Sequence, residues 1–220
     1  MPRTARALAP LVAAWLTLTG LSAGCDGLFR PAVPEQAEDG TLIQRDYSDP
    51  DATLNTLKLA IEAKGLNGGN EAYLDGFADE LRHGRAFRAF FDPADSAQRV
   101  QSGGTVPAWV LQNEQTFYSS FINYRTADKY RMTWEVDVEN PRDDFGDTEA
   151  TIHRKYTVVA ESLDGSQTLV IAVGFADLLF YRSSGEWVIN RWIDRIDLSI
   201  VVTPEQPEQR TLGHRRLQLQ

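Results

Sequence analysis

Two apolar runs near the carboxyl end dominate the pattern of hydrophobic and polar positions. Residues 169–202 form two β-rich segments, which the turn-forming residues 183–185 separate. This pattern predicts a β-hairpin. In the first segment both alternating sets of side chains are apolar, which is typical of a strand covered on both faces. We therefore expect it to lie in the middle of a sheet, and we expect Trp187 and Ile189 of the second segment to pack against helices.

The residues before this hairpin predict two further strands. Residues 130–138 alternate between large apolar and charged side chains, which indicates a half-buried strand. Residues 152–161 predict another strand, joined to the hairpin by turn residues 163–166. The acidic loop 139–149 lacks the spacing of a calcium-binding loop. We interpret it as a solvated hairpin loop and assign no metal site.

Helical spacing appears earlier in the chain. Asp49 and Pro50 predict an N-cap and a first helical residue, and apolar residues then recur on one face until Gly65. A second helix is predicted over residues 71–81. Residues 86–91 predict a short strand.

A third helix is predicted to open at Pro107, and its aromatic stripe indicates core packing rather than a cofactor site. From Thr203 onward the chain is polar and contains two prolines. We expect residues 203–220 to be a polar tail that frays.

Composition limits the classes of function. The chain has 220 residues, a net charge of −9 and 42% hydrophobic residues, which suits one folded domain with tails. It has no basic stripe to neutralise phosphates, so we expect no nucleic-acid partner. The single cysteine excludes a disulfide within the chain and a cysteine-based zinc site.

That cysteine, Cys25, ends a segment with the features of a secretory signal. Arg3 and Arg6 precede the apolar run 7–21, and small residues follow at 22–24. The run is too short for a comfortable membrane span. Residues 21–25 resemble the lipobox of bacterial lipoproteins, which implies cleavage before Cys25 and acylation of its side chain. An ordinary secreted protein with an incidental cysteine is the alternative.

The lipobox resemblance predicts the order of segments in the chain and its cellular location. Residues 1–24 would be the signal peptide, and residues 25–49, rich in proline, glycine and polar side chains, a lipidated tether. The acidic chain would be repelled by anionic headgroups, so the acyl chains must hold it at the membrane. We expect a location in the bacterial cell envelope. Asp26 resembles an inner-membrane retention signal, which implies the inner membrane, facing the periplasm.

Three segments resemble the nuclear transport factor 2-like superfamily: residues 53–64, 72–79 and 185–192. The last of them reads Gly-Glu-Trp-Val-Ile-Asn-Arg-Trp. The resemblance covers residues 50–202. It implies an α+β fold in which a curved antiparallel sheet wraps around three helices to form a cone-shaped half-barrel with a pocket at the open end. Members include isomerases, dehydratases and proteins that only bind or assemble, so the fold does not select a function. No catalytic residue of the superfamily aligns with this chain.

The candidate pocket rests on charges at apolar positions. Asp177 is the one charged residue among the apolar side chains on one face of its predicted strand. In the preceding strand, Arg154 interrupts the apolar side chains of one face. Pairing through the intervening turn places Arg154 opposite about residue 176. We expect Asp177, Arg154 and Asp194 to line the mouth of the cone, with Tyr73 and Trp192 as its walls. A purely structural ion pair is the alternative.

Two functions remain open. The first is a non-catalytic envelope lipoprotein, anchored through Cys25, that needs no cofactor and binds a small apolar ligand or an envelope protein through the cone. A second copy of the chain is another candidate partner. Because His83, His153 and His214 are each interpreted as structural or solvated, no catalytic residue is assigned. The alternative is a pocket enzyme with carboxylate acid/base chemistry, of the isomerase or hydrolase class, which needs a buried acid.

Overall fold

The computed structural model describes residues 42–125, 128–199 and 210–219. The predicted signal peptide, Cys25 and most of the predicted tether lie outside these residues. The last part of the tether, residues 42–49, packs on the folded domain instead of remaining free. Tyr47 is buried there, its hydroxyl donates to the carbonyl of Ala72 at 2.9 Å, and its own carbonyl accepts from the backbone N–H of Trp187 at 2.8 Å. Among the described residues, no helix has the length and apolar character to span a bilayer.

Helix α1, Pro50–Glu62, begins as the sequence predicts. Asp49 is its N-cap, and its carboxylate accepts from the backbone N–H of Ala52 at 2.7 Å. Leu54, Leu57 and Ile61 are buried on one face. The helix therefore contributes an apolar stripe to the core.

The predicted helix over residues 71–81 is wrong in its extent. The structure has a shorter helix α2, Gly69–Asp75, and a single turn α3, Glu80–His83, capped by Asp79. The chain leaves the helix at Gly76 because the carbonyl of Gly76 and the N–H of Ala78 both bond to the backbone of Ile189. Pairing with a strand thus replaces the helical bonds there.

Two more helices precede the long strands. Helix α4, Pro93–Gln101, has Asp92 as its N-cap, a residue that the sequence indicated only as the end of a strand. Helix α5, Leu111–Ile122, begins four residues after Pro107 and buries Phe117 and Phe121. The aromatic stripe is therefore core, as predicted.

Within the described part of the chain, six strands form one sheet: β1 Arg88–Phe90, β2 Asp128–Val136, β3 Asp144–Phe145, β4 Glu149–Ser162, β5 Thr168–Ser183 and β6 Glu186–Arg195. The order is β1-β6-β5-β4-β2, and β3 pairs with β4. The β5–β6 hairpin and the central position of β5 are confirmed. All pairs are antiparallel except β1 with β6, which is parallel, so the sheet is mixed.

This architecture confirms the expected fold class, an α+β fold with a curved, unclosed sheet around helices. Trp187 and Ile189 are buried, as predicted. The alternation of β2 holds for Tyr130 and Met132, which are buried, but ends at Val136, which is exposed. The sheet and the helices enclose one aromatic-rich core.

The expected polar tail is wrong for residues 210–219. They contain a helix, α6, Leu212–Gln218, and Leu212, Arg216 and Leu217 are almost fully buried. The carbonyl of Arg210 accepts from the backbone N–H of Val173 in β5 at 2.8 Å. The carboxyl end is therefore an integral part of the domain.

Candidate functional site

An arginine from the carboxyl-terminal helix occupies the interior between α5 and the sheet. Arg216 has no exposed side-chain surface, and its guanidinium binds Glu114 of α5 through two parallel bonds. Its Nε donates to Glu114 Oε2 at 2.9 Å, and one terminal nitrogen donates to Oε1 at 2.8 Å. The other terminal nitrogen donates to Asp194 Oδ2 at 3.0 Å. Such bidentate pairs are the strongest and most directional that arginine forms.

Neutral donors complete the coordination of both carboxylates. The hydroxyl of Tyr73 donates to Glu114 at 2.7 Å, and the indole N–H of Trp109 donates to the same carboxylate at 2.7 Å. The hydroxyl of Tyr156 donates to Asp194 at 2.5 Å. Glu114 and Asp194 are thus desolvated but fully engaged, which is the condition under which buried charges are tolerated.

Aromatic rings form the walls of this site. The guanidinium of Arg216 lies 4.4 Å from the ring centre of Trp192 and 5.4 Å from that of Phe117, within the range of cation–π attraction. Trp134 and Tyr156 pack edge to face beside Trp192. The indole N–H of Trp192 is buried near enough to Asp194 to favour its ionised form, yet makes no hydrogen bond of normal geometry within the described residues.

Burial and neighbouring charges shift the pKa values of these groups. It raises the pKa of Asp194 to about 6, although Arg216 and the hydroxyl of Tyr156 favour the ionised carboxylate. Burial and the nearby carboxylates also raise the pKa of Tyr73 and of Tyr156 well above the usual value. Burial lowers the pKa of Arg216, but the carboxylates of Glu114 and Asp194 outweigh this effect, so that the pKa of Arg216 is raised. The arginine therefore stays charged, whereas the pKa of Asp194 lies above its usual value, at about 6.

Two glycines make the close packing around Tyr156 and Asp194 feasible. A Cβ on Gly213 of α6 would lie 2.9 Å from Asp194 Oδ2, and a Cβ on Gly174 of β5 would lie 2.8 Å from the hydroxyl of Tyr156. The backbone N–H of Leu212 donates to that same hydroxyl at 2.8 Å. The start of α6 is thus bound directly to the tyrosine that holds Asp194.

Three of the five predicted site residues meet here. Tyr73, Trp192 and Asp194 contact Glu114 or Arg216, which join them into one network. They lie in a filled interior, whereas the sequence predicted an open mouth.

Arg154 and Asp177 are not part of this network and do not pair with each other. The predicted register is right, since Arg154 lies opposite Ala176 and Asp177 opposite His153. Adjacent positions face opposite sides of a sheet, so Arg154 points to the same side as Tyr156 and Asp177 to the other. Arg154 binds Asp143 at 2.8 Å and Asp51 at 2.9 Å.

Asp177 belongs to a cluster on the other face of the sheet. It bonds to His153 Nδ1 at 2.7 Å and to Arg195 at 2.9 Å, and Arg195 also contacts the buried Asp137 at 2.6 Å. These side chains satisfy one another. The expected Asp177–Arg154 pair is therefore replaced by two separate clusters.

Known proteins resemble this chain in their structures but not detectably in their sequences. No family model and no curated protein matches the sequence. A protein of unknown function from Mycobacterium tuberculosis matches at 13% identity and a TM-score of 0.49, with 76% of this chain and 83% of that chain covered. A putative dehydratase of the nuclear transport factor 2-like family from Streptomyces avermitilis matches at 9% identity and a TM-score of 0.48, over 70% and 96% of the two chains.

The order of helices and strands and the curved, unclosed sheet are the features that the resemblance implied. The chain has the nuclear transport factor 2-like fold. The identities are too low for any activity to pass from those proteins to this one.

Sequence reasoning missed the residues that organise the interior of this nuclear transport factor 2-like domain. Glu114 lies on α5 beside exposed polar residues, and Arg216 lies in a segment of tail-like composition. The available signal for Glu114 was its spacing, because it lies three residues before Phe117 on the apolar face of the helix. Arg216 gave no signal of this kind.

The described residues offer no metal site, since no three His, Cys, Asp or Glu side chains converge among them. A cavity of about 140 Å³ lies between α4 and α6, lined by Asp95, Arg99, His214 and Leu217 among others. Asp95 is buried there and accepts from the hydroxyl of Thr211 at 2.5 Å. This contact secures the start of α6 to α4.

Proposed function

We propose that this chain is a lipid-anchored, non-catalytic protein of the bacterial envelope that binds a ligand or a partner protein through its nuclear transport factor 2-like cone. The observation that supports a non-catalytic role is the pairing inside the cone. Glu114 and Asp194 each bind Arg216 and at least one neutral donor, so neither carboxylate faces open space where a substrate would meet it. Acid/base chemistry requires such a group within reach of the substrate.

The network also bears on what is bound. A small apolar ligand would have to share a space that holds three charged groups, which an apolar surface cannot solvate. A ligand or partner with polar groups that replace those of α6 suits the cone better. Anchoring through Cys25 would place the domain beside envelope proteins and lipids.

Co-purification tests the binding role. The full chain is purified in detergent from membranes, and bound proteins and small molecules are identified by mass spectrometry. Trp192→Phe alters the aromatic wall of the cone, and Trp187→Phe is the matched control, a buried tryptophan on the same strand outside the Arg216 network. We expect a companion that is retained by the wild type and Trp187→Phe and reduced with Trp192→Phe. Equal recovery from all three, or none from any, would reject binding through the cone.

The alternative is a pocket enzyme, and one observation favours it. Asp194 combines a pKa of about 6 with a hydrogen bond from Tyr156 in aromatic surroundings, and a carboxyl near neutrality is what general acid/base catalysis uses. Turnover of isomerase or hydrolase substrates by the wild type, lost in folded Asp194→Asn, would replace the binding proposal.

A further inference from the structure

Two opposite charges of α4 line the cavity between this helix and α6. Asp95 lies in the first turn of α4, and Arg99 follows four residues later, so both side chains project from the same side of the helix. Residues of opposite charge at this spacing commonly form an ion pair. Here the two side chains do not pair with each other, although both line one cavity of about 140 Å³. The helix therefore presents a separated negative and positive charge to the same space.

The carboxylate of Asp95 is buried but only partly satisfied. Its side chain is 1% exposed, and Oδ2 accepts from the hydroxyl of Thr211 at 2.5 Å. The other oxygen, Oδ1, accepts no hydrogen bond from a described residue, and His214 Nδ1 lies 3.4 Å away, beyond the usual length of an N–H···O bond. Burying a carboxylate is costly unless its oxygens are paired. Oδ1 is therefore available to a donor from outside the chain.

The guanidinium of Arg99 is unpaired as well. It makes no hydrogen bond or ion pair with the residues that the structure describes, and its Nε–H is buried without an acceptor. Gly104 packs so closely on it that a Cβ at that position would overlap Nε, so the chain restricts where the guanidinium can move. Buried donors rarely stay unpaired in native proteins, and each exception calls for an explanation. An acceptor supplied by a ligand in the adjoining cavity is such an explanation.

The size of the cavity limits the ligand to a small molecule. An engineered cavity of about 150 Å³ in another protein binds benzene, so the cavity beside α4 has room for about six non-hydrogen atoms. A ligand that satisfies both charges needs a cationic donor for Asp95 Oδ1 and an anionic acceptor for Arg99. An α-amino acid carries these two groups on a single carbon atom. A short apolar side chain would pack on Leu217, which also lines the cavity.

We propose that the cavity between α4 and α6 binds a small α-amino acid as its zwitterion, with the ammonium group on Asp95 and the carboxylate on Arg99. This goes beyond the function proposed for the cone and does not depend on it, because no residue that lines this cavity belongs to the Arg216 network. The bound amino acid would connect α4 to α6, so it should also restrict the motion of α6.

Calorimetry on the full chain in detergent tests the proposal with three probes of similar size. L-Alanine carries both charges, L-alaninamide lacks the carboxylate and propionate lacks the ammonium group. We expect saturable one-to-one binding of L-alanine, at least about tenfold tighter than the binding of either other probe, because each of these lacks one charge-assisted bond. The protein is the same in all three measurements, so the differences report on the charges of the ligand.

Two variants locate the bound amino acid. Arg99→Met and Asp95→Asn should each weaken the binding of L-alanine at least about tenfold, since each removes one charge and keeps most of the side-chain volume. An amide at position 95 still accepts from the hydroxyl of Thr211. If Asp95→Asn nevertheless fails to fold, Arg99→Met decides, because Arg99 is paired with no described residue. Arg88→Met, at an exposed arginine of β1 that does not line the cavity, is the matched control and should bind like the wild type.

Hydrogen exchange gives an independent readout of the position of the ligand. Saturating L-alanine should slow exchange in α4 and α6 and leave β2 unchanged, because the cavity lies between the two helices. Absence of binding would show that water alone fills the cavity, and it would overturn the proposal. Propionate that binds as tightly as L-alanine would also overturn it, since His214 would then already neutralise Asp95. Equal binding by Arg99→Met and the wild type would place the amino acid elsewhere and overturn the proposal as well.

Discussion

Arg216, Glu114 and Asp194 place three ionisable side chains where none has any solvent-exposed surface. Removing such groups from water costs several kcal/mol each, and their mutual attraction offsets that cost only when every donor and acceptor is satisfied. Here Tyr73, Trp109 and Tyr156 supply the remaining donors. The network therefore adds specificity for one arrangement of α6 more than it adds net stability.

Removing one partner of this network should nevertheless lower the free energy of unfolding substantially. Arg216→Met keeps much of the volume but leaves Glu114 without its counter-charge, so we expect a loss of about 3–5 kcal/mol in the free energy of unfolding. The matched control is Arg131→Met, because Arg131 forms an exposed pair with Glu161 whose loss should cost less than about 1 kcal/mol. Urea unfolding of the full chain measures both. Similar losses for the two variants would contradict the buried network.

Asp194 should give stability an unusual dependence on pH. Its pKa rises from 3.8 to about 6 on folding, so between these values the folded state holds a proton that the unfolded state has released. Its contribution to stability is therefore greatest below about pH 4 and falls as the pH rises to about 6, by up to about 3 kcal/mol.

The stability of the wild type minus that of Asp194→Asn isolates this effect from the other carboxylates. We expect the difference, measured by urea unfolding at several pH values, to decrease from pH 4 to pH 6 and then level off. A difference that rises with pH would show that Arg216 outweighs burial and holds the carboxyl ionised.

The sequence predicted the register of β4 and β5 correctly, but it did not predict which faces of the sheet Arg154 and Asp177 occupy. The pairing of Arg154 with residue 176 followed from the turn position to within the one-residue shift between Val158 and Val159, because elsewhere each step away from the turn moves both strands by one residue. That same alternation places Asp177 on the opposite face from Arg154. A register is thus predictable from the chain, whereas a charge pair also requires the two side chains to share a face.

At the scale of elements, α6 lies so close to Asp194 that position 213 has room only for glycine. Gly213→Ala would place a Cβ 2.9 Å from Asp194 Oδ2, and Asp194 cannot move freely because Tyr156 and Arg216 hold it. We expect a destabilisation on the order of 1–3 kcal/mol, greater than the gain in helix propensity from alanine.

Faster hydrogen exchange at the amides of His214 and Leu219 would locate that loss in α6. Gln112→Ala, at an exposed position of α5, is the control and should leave exchange in α6 and the stability nearly unchanged. If Gly213→Ala melts like the wild type, the close approach of α6 to Asp194 is not present in solution.

The elements that sequence predicted well are those with their own periodic pattern. The β5–β6 hairpin and α1 have apolar patterns of their own and local turn or cap residues, so their first residues were nearly right, although β6 ends at Arg195 and the predicted segment extended to residue 202. Helix α6 has Leu212 and Leu217 as its buried leucines, and its burial depends on the distant Glu114 and Asp194. The short helix α2 ends because Gly76 pairs with β6. Contacts distant in sequence decided both cases.

At the scale of the whole molecule, fold and function were predictable to different depths. Apolar periodicity predicted the sheet and the helical layer, since burial of apolar surface dominates folding. The polar interior depends on six side chains from distant parts of the chain, which only the folded domain brings together: Tyr73, Trp109, Glu114, Tyr156, Asp194 and Arg216. No local pattern encodes such a convergence.

The proposed anchor is a separate part of the molecule, and it gives the last prediction. Cys25 lies outside the described residues, and the folded domain makes its own core without it. Because an acyl chain on Cys25 would supply the membrane affinity, Cys25→Ser should move the protein from the membrane pellet to the soluble extracytoplasmic fraction. The melting temperature of the domain should stay unchanged.

Fractionation of cells that express the wild type and Cys25→Ser, followed by immunoblotting, measures the distribution. Ser22→Ala, a change within the proposed lipobox that retains the cysteine, is the matched control and should remain in the pellet. Retention of Cys25→Ser in the pellet after a high-salt wash would reject the lipid anchor. Release of the variant by salt alone would instead indicate a protein partner at the membrane, since salt screens exposed charges and leaves a lipid anchor in place.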